Sequence, residues 1–404
     1  MRASLLTIGD ELLSGKTINT NASWISQKLA SEGCSVVRHL TVPDKKVDIL
    51  ESLSNLFKLP INLILCTGGL GPTNDDITRD SIFKFFKSNP VFDEVYWNEL
   101  VSKFSRLGYS IPRSNKSQAI IPHNGEIFPN PIGSARGILF HLKGITLMAL
   151  PGVPSEMEAM IEQTVLPWVR KNNDKKLTSI NIRTTGIPES TLHEKINFKK
   201  IPQNDIKIGY YPSIFGVDLR LSGSDPAKIK RAQSTIIENI KDYIYTVGED
   251  SIENVVVNRL IYKNLTISFA ESCTGGLLGH RITQVEGSSK AFKGGVVAYS
   301  NEAKLDQLKI SQELLDEFGA VSQEVALEMA KNVRDVFSSD IGVSVTGIAG
   351  PGGGTDNKPV GLVYVGYSDS KVVDTYQFNF HSNRHTNKIR TSQTVFNQIL
   401  KNIN

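Results

Sequence analysis

One stretch of the sequence constrains the fold more than any other: Ser268–Gly276, which reads Ser-Phe-Ala-Glu-Ser-Cys-Thr-Gly-Gly. The mostly apolar residues from Thr266 to Ala270 predict a short strand, and those from Leu277 onwards predict a helix. In α/β proteins, ligands bind where a strand ends in glycines and small polar residues just before a helix. The N–H groups of the first helical turn can then bind an anion. The sequence therefore predicts an α/β fold with a functional site at this strand end.

Candidate nucleophiles lie side by side in this stretch: Ser272, Cys273 and Thr274. Downstream, the run Tyr-Ser-Asn-Glu-Ala-Lys supplies a phenol, Tyr299, and an amine, Lys304. A serine needs a base at neutral pH, and a lysine serves as one when burial lowers its pKa. A thiol is intrinsically the better nucleophile, so residue chemistry alone does not choose between Ser272 and Cys273. A structural role, in which Ser272 or Thr274 caps the helix, is equally consistent with the pattern.

The composition is that of an ordinary globular protein. With 404 residues, 40% hydrophobic and 21% charged, the chain predicts two or three domains. A net charge of +4 without a long basic block does not indicate nucleic-acid binding. Three widely spaced cysteines, Cys34, Cys66 and Cys273, argue against a disulfide framework and a cysteine-based zinc site. No apolar run has the length of a signal peptide or a membrane span, so we expect a cytoplasmic protein.

The first domain, predicted to span residues 1–171, alternates strands with amphipathic helices. Such alternation predicts a parallel sheet with helices on both faces. The helix that begins at Asn19 or Thr20, for example, places Ala22, Ile25 and Leu29 on one face. The predicted strands are Leu5–Ile8, Ser35–Leu40, Ile61–Cys66 and Thr146–Leu150, and a second helix is predicted around Val47–Phe57.

Two loops of this domain follow predicted strands, where ligands gather in such folds. One is Gly9-Asp10-Glu11, and the other is 66–78, which contains Thr67, Gly68, Gly69, Gly71, Asp75 and Asp76. The glycines suit a phosphate because they expose backbone N–H groups. If Asp10 and Glu11 converge with Asp75 and Asp76, the result is an oxygen-rich site for a divalent cation. Structural roles compete: Asp75 or Asp76 is expected to cap the next helix, and Glu156 to stabilise a helix N-terminus.

Residues 172–250 are predicted to form a small α+β module. Its polar and charged start, 171–176, predicts a linker. A short helix from Glu189, strands, and a longer helix over Asp225–Tyr243 follow. The module lacks a Gly-x-x-Gly loop, so we expect a spacer or dimerisation element and not an RNA-binding unit.

The remaining residues, 251–404, form the third predicted domain. Its strand Ile341–Val345 ends in a second glycine-rich stretch, Thr346–Thr355. A last helix is predicted from about His385, and Lys388 is expected to lie on its solvated face. This is the second glycine-rich strand end in the domain, after Ser268–Gly276.

The first domain resembles the N-terminal half of the CinA competence/damage-inducible proteins. The resemblance lies in Gly9–Gly15, Thr67–Thr73 with Asp75 and Asp76, and Pro151–Met157. It implies a molybdopterin-binding-like α/β/α fold and an ADP-ribose pyrophosphatase that depends on Mg, Mn or Co. The phosphate and metal residues it implies are Asp10, Glu11, Thr67, Gly68, Gly69, Gly71, Asp75 and Asp76, with Asp10, Asp75 and Asp76 as metal ligands. Arg136 departs from the family, whose loop has a proline there.

The third domain resembles the nicotinamide mononucleotide deamidase domain of the same family. The motifs are Ala270–Gly276, Gly287–Ser289, Tyr299–Lys304, Gly319–Ser322 and Thr346–Gly352. With a KH-like connector between the two, the resemblance covers essentially the whole chain. It implies hydrolysis of nicotinamide mononucleotide to nicotinic acid mononucleotide and ammonia, without a metal or other cofactor at this site, by a homodimer.

The resemblance also implies residue roles in the deamidase site. Ser272 attacks the carboxamide carbon, Lys304 accepts its proton, and Tyr299 relays that proton or orients Lys304. The substrate-binding residues it implies are Cys273, Thr274, Gly275, Gly276, Ser289, Thr346, Gly350, Arg384 and Arg390. Ser382 and Asn383 stand where a glycine and an aspartate are expected, so the loop before Arg384 is altered.

Three functional hypotheses follow. The leading one is an enzyme of pyridine-nucleotide recycling with both activities, acting on nicotinamide mononucleotide and ADP-ribose. The second is a binding or scaffold protein associated with competence or DNA damage, in which one or both sites are inactive. The third makes the first domain a molybdopterin-handling domain, by analogy of fold alone.

Overall fold

A computed structural model describes residues 1–173, 178–201 and 205–403. The chain divides into two compact units, Met1–Thr178 and Ser179–Asn404. Residues 174–176 of the predicted linker lie outside the described residues. In the part of the chain that the structure describes, none of the helices combines the length and the apolar character needed to cross a membrane.

The first unit is built on a twisted sheet with the strand order β2-β1-β3-β8-β7-β6. Strands β1, β2, β3 and β8 are parallel, whereas β7 and β6 run antiparallel. The strands of this unit are β1 (Arg2–Ile8), β2 (Ser35–Val42), β3 (Leu63–Thr67), β4 (Pro90–Phe92), β5 (Ile120–Pro122), β6 (Glu126–Phe128), β7 (Gly137–Leu142) and β8 (Ile145–Leu150). The sheet is therefore mixed at one edge, where wholly parallel pairing was expected, because β7 and β8 form a hairpin.

Helices cover both faces of this sheet, as the sequence predicts. Its α-helices are α1 (Asp10–Leu13), α2 (Thr20–Ser31), α3 (Lys46–Leu56), α4 (Thr78–Phe85), α5 (Glu94–Arg106), α6 (Pro154–Met160) and α7 (Leu166–Asn172), with a 3₁₀ helix at Arg113–Ala119 and a π-helical turn at Ile161–Val165. Successive strand residues point to opposite faces. Leu5 accordingly packs with Ile25 of α2 in one core, and Leu6 with Ile49 of α3 in the other.

A four-stranded sheet with the order β10-β11-β9-β12 opens the second unit. It comprises β9 (Thr178–Thr184), β10 (Ile206–Ser213), β11 (Gly216–Gly223) and β12 (Ile244–Val247), with helices α8 (Glu189–Lys195) and α9 (Pro226–Ile240) and 3₁₀ turns at Phe198–Lys200 and Lys241–Tyr243. Alternate residues of β11, such as Leu219 and Leu221, pack against Ile229 and Ile236 of α9. The module is α+β, as predicted.

A five-stranded sheet with the order β14-β13-β15-β16-β17 completes the second unit. Its elements are β13 (Ile267–Glu271), β14 (Phe292–Val297), β15 (Ile341–Gly347), β16 (Leu362–Ser368), β17 (Val373–Asn379), α10 (Ile252–Tyr262), α11 (Leu277–Thr283), α12 (Asn301–Leu308), α13 (Gln312–Phe318), α14 (Gln323–Phe337) and α15 (Arg384–Asn402), with a 3₁₀ turn at Ser288–Lys290. Strand β13 pairs in parallel with β14 on one side and with β15 on the other. The chain therefore reverses its direction across the sheet at β13, and such a switch point opens a crevice at the carboxyl end of the strand.

Candidate active sites

The candidate nucleophile Ser272 and the candidate base Lys304 are brought together at that switch point. Ser272 follows β13, and its amide donates to the carbonyl of Val345 on β15 at 2.9 Å. Lys304 lies in the first turns of α12, a helix capped by the Ser300 side chain. The Nζ atom of Lys304 lies 3.2 Å from Oγ of Ser272 and 2.9 Å from the carbonyl oxygen of Ala298. Residues 32 positions apart in sequence are thus within hydrogen-bond distance, as a nucleophile and its base would need to be.

Burial gives Lys304 the character of a base. Only 2% of the residue is exposed, and desolvation lowers the pKa of its ammonium group. Its hydrogen bonds within the described chain go to Ser272 Oγ and to the carbonyls of Ala298 and Ser300, which are all uncharged acceptors. A neutral amine is therefore easier to form here than on a free lysine.

Cys273 and Ser272, the two candidate nucleophiles, differ in their surroundings. Cys273 is buried within the core that also contains Leu278 and Val345. Burial raises the pKa of its thiol to about 12, so the reactive thiolate is scarce at neutral pH. Ser272, 8% exposed and paired with Lys304, is the better-placed nucleophile.

The helix after Ser272 does not offer its N-terminus to a substrate, which corrects the expectation from sequence. The carboxylate of Glu271 accepts hydrogen bonds from the amides of Leu278 at 3.1 Å and Gly279 at 2.9 Å. Glu271 is 3% exposed, so an internal anion already occupies the first turn of α11. Sequence reasoning missed Glu271, although an acid at the end of a buried strand was a usable signal.

A cavity of about 280 Å³ opens over this pair. Of the predicted site residues, it is lined by Ser272, Cys273, Tyr299, Lys304, Thr346, Gly350 and Arg384. The hydroxyl of Thr346 donates to the carbonyl of Ala320 at 2.6 Å, so Thr346 also fixes the cavity wall. Thr274 is fully buried behind the turn that Gly275 and Gly276 make with positive φ angles of 61° and 90°.

Five residues implied by the family resemblance do not line the cavity: Thr274, Gly275 and Gly276 in the turn after Ser272, and Ser289 and Arg390, which lie farther away. Ser289 is exposed in the turn before β14, and that turn is at the opposite end of the sheet from Ser272. Arg390 is exposed on α15, six residues beyond Arg384. Six residues rotate a side chain by about 240°, so Arg390 points to another face of the helix. Neither residue lines the cavity.

Tyr299 pairs with Arg384 and not with Lys304, contrary to its expected role. Arg384 Nη2 donates to the Tyr299 hydroxyl at 2.6 Å, and Nη1 donates to the carbonyl of Gly350 at 2.7 Å. Tyr299 is 59% exposed at the mouth of the cavity. The three residues form one rim, on which Tyr299 orients the guanidinium group.

Lys388, which sequence reasoning assigned to the solvent, lies close to Gly275 in the turn after Ser272. It lies one turn after Arg384 on α15, on the same face. Its Nζ would lie 3.5 Å from a Cβ atom at Gly275, and its charge acts on Cys273. The spacing of four residues between Arg384 and Lys388 was the available signal.

The first unit contains a larger cavity, of about 910 Å³, at the carboxyl ends of β1 and β3. It is lined by all the residues predicted for this site: Asp10, Glu11, Thr67, Gly68, Gly69, Gly71, Asp75 and Asp76. A Cβ atom on Gly68 would lie 2.1 Å from the carbonyl oxygen of Ile8, and φ at Gly68 is +102°. Only glycine fits this close approach of two strand ends.

Asp76 organises the glycine-rich loop instead of capping a helix. Its carboxylate accepts from the amides of Gly71 and Thr73, each at 2.8 Å, and from the Thr73 hydroxyl at 2.6 Å. Helix α4 begins after Ile77 without a side-chain cap, so the expected capping role of Asp75 or Asp76 is wrong. The loop folds around Asp76 because its carboxylate accepts several hydrogen bonds at once, and hydrogen bonds to a charged acceptor are stronger than those to a neutral one.

Asp44, which sequence reasoning missed, adds a carboxylate to this cavity. Its Oδ2 accepts from the amide of Asp10 at 3.0 Å. The pKa of Asp44 is raised, first by burial and then by the nearby charges of Asp10, Glu11 and Asp75. A cluster of carboxylates that repel one another has the chemistry of a site for a hard divalent cation.

The described residues hold no group of three or more His, Cys, Asp or Glu side chains placed to bind a metal ion. The carboxylates suit a divalent cation, although they do not enclose one. Mg²⁺ typically binds one or two carboxylates together with substrate phosphates, so an open acidic cavity fits it. Of the cavity's carboxylates, Asp76 is engaged by its own loop, whereas Asp10, Asp44 and Asp75 lie near enough for their charges to act on one another.

A loop across the same cavity is fixed by Glu156 and Arg136. Asn130 Nδ2 donates to Glu156 Oε2 at 2.6 Å, so Glu156 does more than stabilise its helix. Arg136 donates to Asp93 at 2.7 Å and stacks 3.6 Å from the ring centre of Tyr96. The departure at Arg136 is thus accommodated by helix α5, and the fold is unchanged.

Comparison with known proteins gives the same three parts in order. Residues 4–171 match the probable molybdopterin binding domain, residues 179–246 the KH domain of damage-inducible protein CinA, and residues 249–403 the CinA C-terminal domain.

Relatives match over the whole length. A competence-damage inducible protein of Caldicellulosiruptor saccharolyticus is 37% identical over 409 residues, covering 100% of this chain and 99% of the relative. One from Halothermothrix orenii is 39% identical over 410 residues, covering 98% and 97%. Among solved structures, the competence/damage inducible protein CihA from Agrobacterium tumefaciens is 36% identical, with a TM-score of 0.36, covering 38% of this chain and 96% of that one. Because the relatives match from end to end and the family's domains occur in order, the chain belongs to the CinA family of competence/damage-inducible proteins.

Proposed function

We propose that the cavity in the second unit deamidates nicotinamide mononucleotide to nicotinic acid mononucleotide and ammonia. The observation that carries the proposal is the 3.2 Å separation between Ser272 Oγ and the buried amine of Lys304. A serine with an adjacent base of lowered pKa is the minimum apparatus of a covalent amidase.

The reaction follows from the positions of these atoms. Lys304 accepts the proton of Ser272 as Oγ bonds to the carboxamide carbon. The carbon–nitrogen bond then breaks, Lys304 returns the proton to the leaving nitrogen, and ammonia departs from a seryl ester. Lys304 next accepts a proton from water, whose oxygen attacks the ester carbon. As the bond between this carbon and Ser272 Oγ breaks, Lys304 returns the proton to Oγ, and the acid product loses its own proton to solvent. No redox change occurs in any step.

Backbone amides and two cations complete the proposed site. The amide of Gly275 already donates to the Ser272 carbonyl, so the amides of Cys273 and Thr274 are the candidates for the oxyanion. Arg384 lies at the rim and Lys388 close to Gly275. Both carry the positive charge that a substrate phosphate requires.

Ammonia release from nicotinamide mononucleotide in EDTA tests this function. We expect the Cys273→Ala variant to retain activity and the Ser272→Ala variant to lose it. Ser370→Ala, a change at an exposed serine, serves as the matched control. No ammonia release from the unmodified protein would refute the proposal and favour a scaffold role in competence or DNA damage.

We further propose that the first unit hydrolyses the pyrophosphate bond of ADP-ribose with the help of a divalent cation. The observation that favours it is one cavity in which carboxylates of Asp10, Asp44 and Asp75 lie beside the glycine loop. A bound cation supplies Lewis-acid stabilisation of phosphoryl oxygens. The loop amides orient the phosphates, and the carboxylates are placed to accept a proton from water.

Production of AMP from ADP-ribose with Mg²⁺, Mn²⁺ or Co²⁺ tests this second activity. Asp75→Asn should abolish it, and Ser272→Ala should leave it unchanged because that residue belongs to the other unit. A molybdopterin-handling role remains the competing proposal, since the domain matches a probable molybdopterin binding domain. Tight pterin binding without ADP-ribose turnover would establish that role instead.

The remaining expectations are also proposals. We propose a homodimer that acts in the cytoplasm on small nucleotides, with neither nucleic acid nor membrane as a partner. Light scattering on the purified full chain measures the oligomeric state, and a mass of one chain would contradict the dimer.

A further inference from the structure

A pair of carboxamides forms one wall of the larger cavity. Asn115 and Gln118 both line it, and each is 7% exposed. Asn115 Nδ2 donates to Gln118 Oε1 at 2.9 Å. The proposed hydrolysis does not use either residue, and buried amides that face a cavity need partners to compensate for the water they have lost.

The bond between the two amides leaves one acceptor and one donor unused. Within the part of the chain that the structure describes, Asn115 Oδ1 and Gln118 Nε2 have no hydrogen-bond partner. Because their mutual bond fixes both side chains, the two atoms offer a preset acceptor–donor pair. Such a pair complements the adenine edge, whose N6 amine donates and whose N7 accepts.

The short helix that carries the pair is held rigidly. Arg79 Nη1 donates to the carbonyl of Ser117, and the amide of Asp93 donates to the carbonyl of Ala119 at 2.8 Å. Arg79 is itself 7% exposed on α4. A site on a fixed element recognises a ligand more precisely than one on a free loop, because less order is lost on binding.

The amides and the acidic residues line the same cavity. Asp10 and Glu11 follow β1 and Asp44 follows β2, whereas Ala135, which lines the cavity with the amides, precedes β7. Four strand spacings separate β2 from β7 in the sheet order. At roughly 4.8 Å per spacing, the two strands lie about 19 Å apart, and residues that follow β2 and precede β7 both line the cavity.

We infer that Asn115 and Gln118 read the base of the substrate and select adenine over 6-oxopurines. This inference rests on the proposed hydrolysis of a nucleoside diphosphate sugar in the same cavity. Hypoxanthine and guanine have an oxygen at position 6, which would oppose Asn115 Oδ1 with a second acceptor. A matched pair of hydrogen bonds discriminates by about 10- to 100-fold against the wrong base.

Calorimetric binding of AMP and IMP to the full chain in EDTA tests the inference without metal or hydrolysis. We expect AMP to bind at least about 10-fold more tightly than IMP. Gln118→Glu replaces the donor with an acceptor and should remove this preference, and Gln118→Met, which deletes the donor, should do the same. Gln163→Glu, at an exposed glutamine of the same unit, is the matched control.

The second unit also has a candidate nucleotide site, so only binding that the Gln118 variants lose is assigned to the amide pair. Equal affinity for AMP and IMP, a preference that survives both Gln118 variants, or no AMP binding in the millimolar range would each overturn the inference. Stronger binding of a pterin than of AMP would also overturn it. Failure of ADP-ribose hydrolysis with selective AMP binding intact would instead refute only the proposed pyrophosphatase.

Discussion

The carboxylate of Glu271 lies 2.9 Å from the amide of Gly279, which makes the residue before the nucleophile the cap of the helix after it. Ser272 therefore lies between the end of β13 and helix α11, whose first-turn N–H groups bind the Glu271 carboxylate. Glu271→Ala leaves the amides of Leu278 and Gly279 buried without partners, and each such loss costs about 1–3 kcal/mol. Glu271→Gln keeps one acceptor and should cost less.

Denaturation in urea with two signals measures this effect. All three tryptophans, Trp24, Trp97 and Trp168, lie in the first unit, so their fluorescence follows that unit. We expect Glu271→Ala to shift the circular-dichroism transition to lower urea and to leave the fluorescence transition in place. Equal stability of the alanine variant and the unmodified protein would contradict the capping role.

Lys304 should control the pH dependence of deamidation. A base must be neutral, so kcat/KM should rise as the pH increases through the pKa of Lys304, which burial places below the ordinary 10.5. Lys304→Met should lower kcat/KM by about 10²- to 10⁴-fold and remove this rising limb. Lys293→Met, at an exposed lysine, is the control. A rising limb that persists in Lys304→Met would assign the base to another group.

The same substitution should not destabilise the protein. The pKa of Lys304 is lower in the folded than in the unfolded state, so protonating it costs folding free energy below the folded-state pKa. That cost disappears as the pH rises from the folded-state pKa to 10.5. Lys304→Met should therefore melt at the same or a higher temperature at pH 7, and a lower melting temperature would show that the charge is compensated.

A Tyr299 variant can show whether this residue acts in substrate binding, through Arg384, or in proton transfer. Because the Tyr299 hydroxyl contacts Arg384 and not Lys304, Tyr299→Phe should raise KM by about 10-fold, the value of one charge-assisted hydrogen bond. Its kcat should change little. Steady-state kinetics separate the two constants, and a large fall in kcat at unchanged KM would restore the proton-relay role.

All three cysteines should react slowly in the native protein. Burial raises the pKa of Cys34 to about 11 and those of Cys66 and Cys273 to about 12. A thiol reagent at pH 8 should therefore modify the protein slowly and label all three thiols after denaturation. Rapid labelling at Cys273, identified by peptide mass, would restore it as a nucleophile.

Gly68 should tolerate no side chain. A Cβ atom there meets the Ile8 carbonyl, whereas one at Gly15, which has a similar positive φ of 73°, meets nothing within 4 Å. Gly15→Ala should lower the free energy of unfolding by about 1 kcal/mol, because a residue with a Cβ atom is strained in the left-handed backbone conformation. Gly68→Ala should cost clearly more and shift the tryptophan-detected transition further. Equal shifts in the two variants would mean that the strand ends are free to separate.

The linear sequence predicted the fold class and the strand ends that carry the chemistry. Periodicity placed α2, and the Asn19 cap confirmed its start. It did not reveal the antiparallel edge formed by β7 and β6, since local patterns do not record which strands pair.

Residue type and order were sufficient to name Lys304 and the acidic and glycine-rich loops, because local chemistry and motif spacing follow the chain. They left Ser272 and Cys273 as rivals, and the family resemblance favoured Ser272. Tertiary structure alone decided which atoms meet: Lys304 with Ser272, Tyr299 with Arg384, Asp76 with its own loop, and Asp44 with Asp10. It also decided that burial raises the pKa of the Cys273 thiol, and that Thr274, Gly275, Gly276, Ser289 and Arg390 do not line the cavity. Burial and contact between distant residues depend on how the elements pack, and packing sets the pKa and the hydrogen-bond partner of each group.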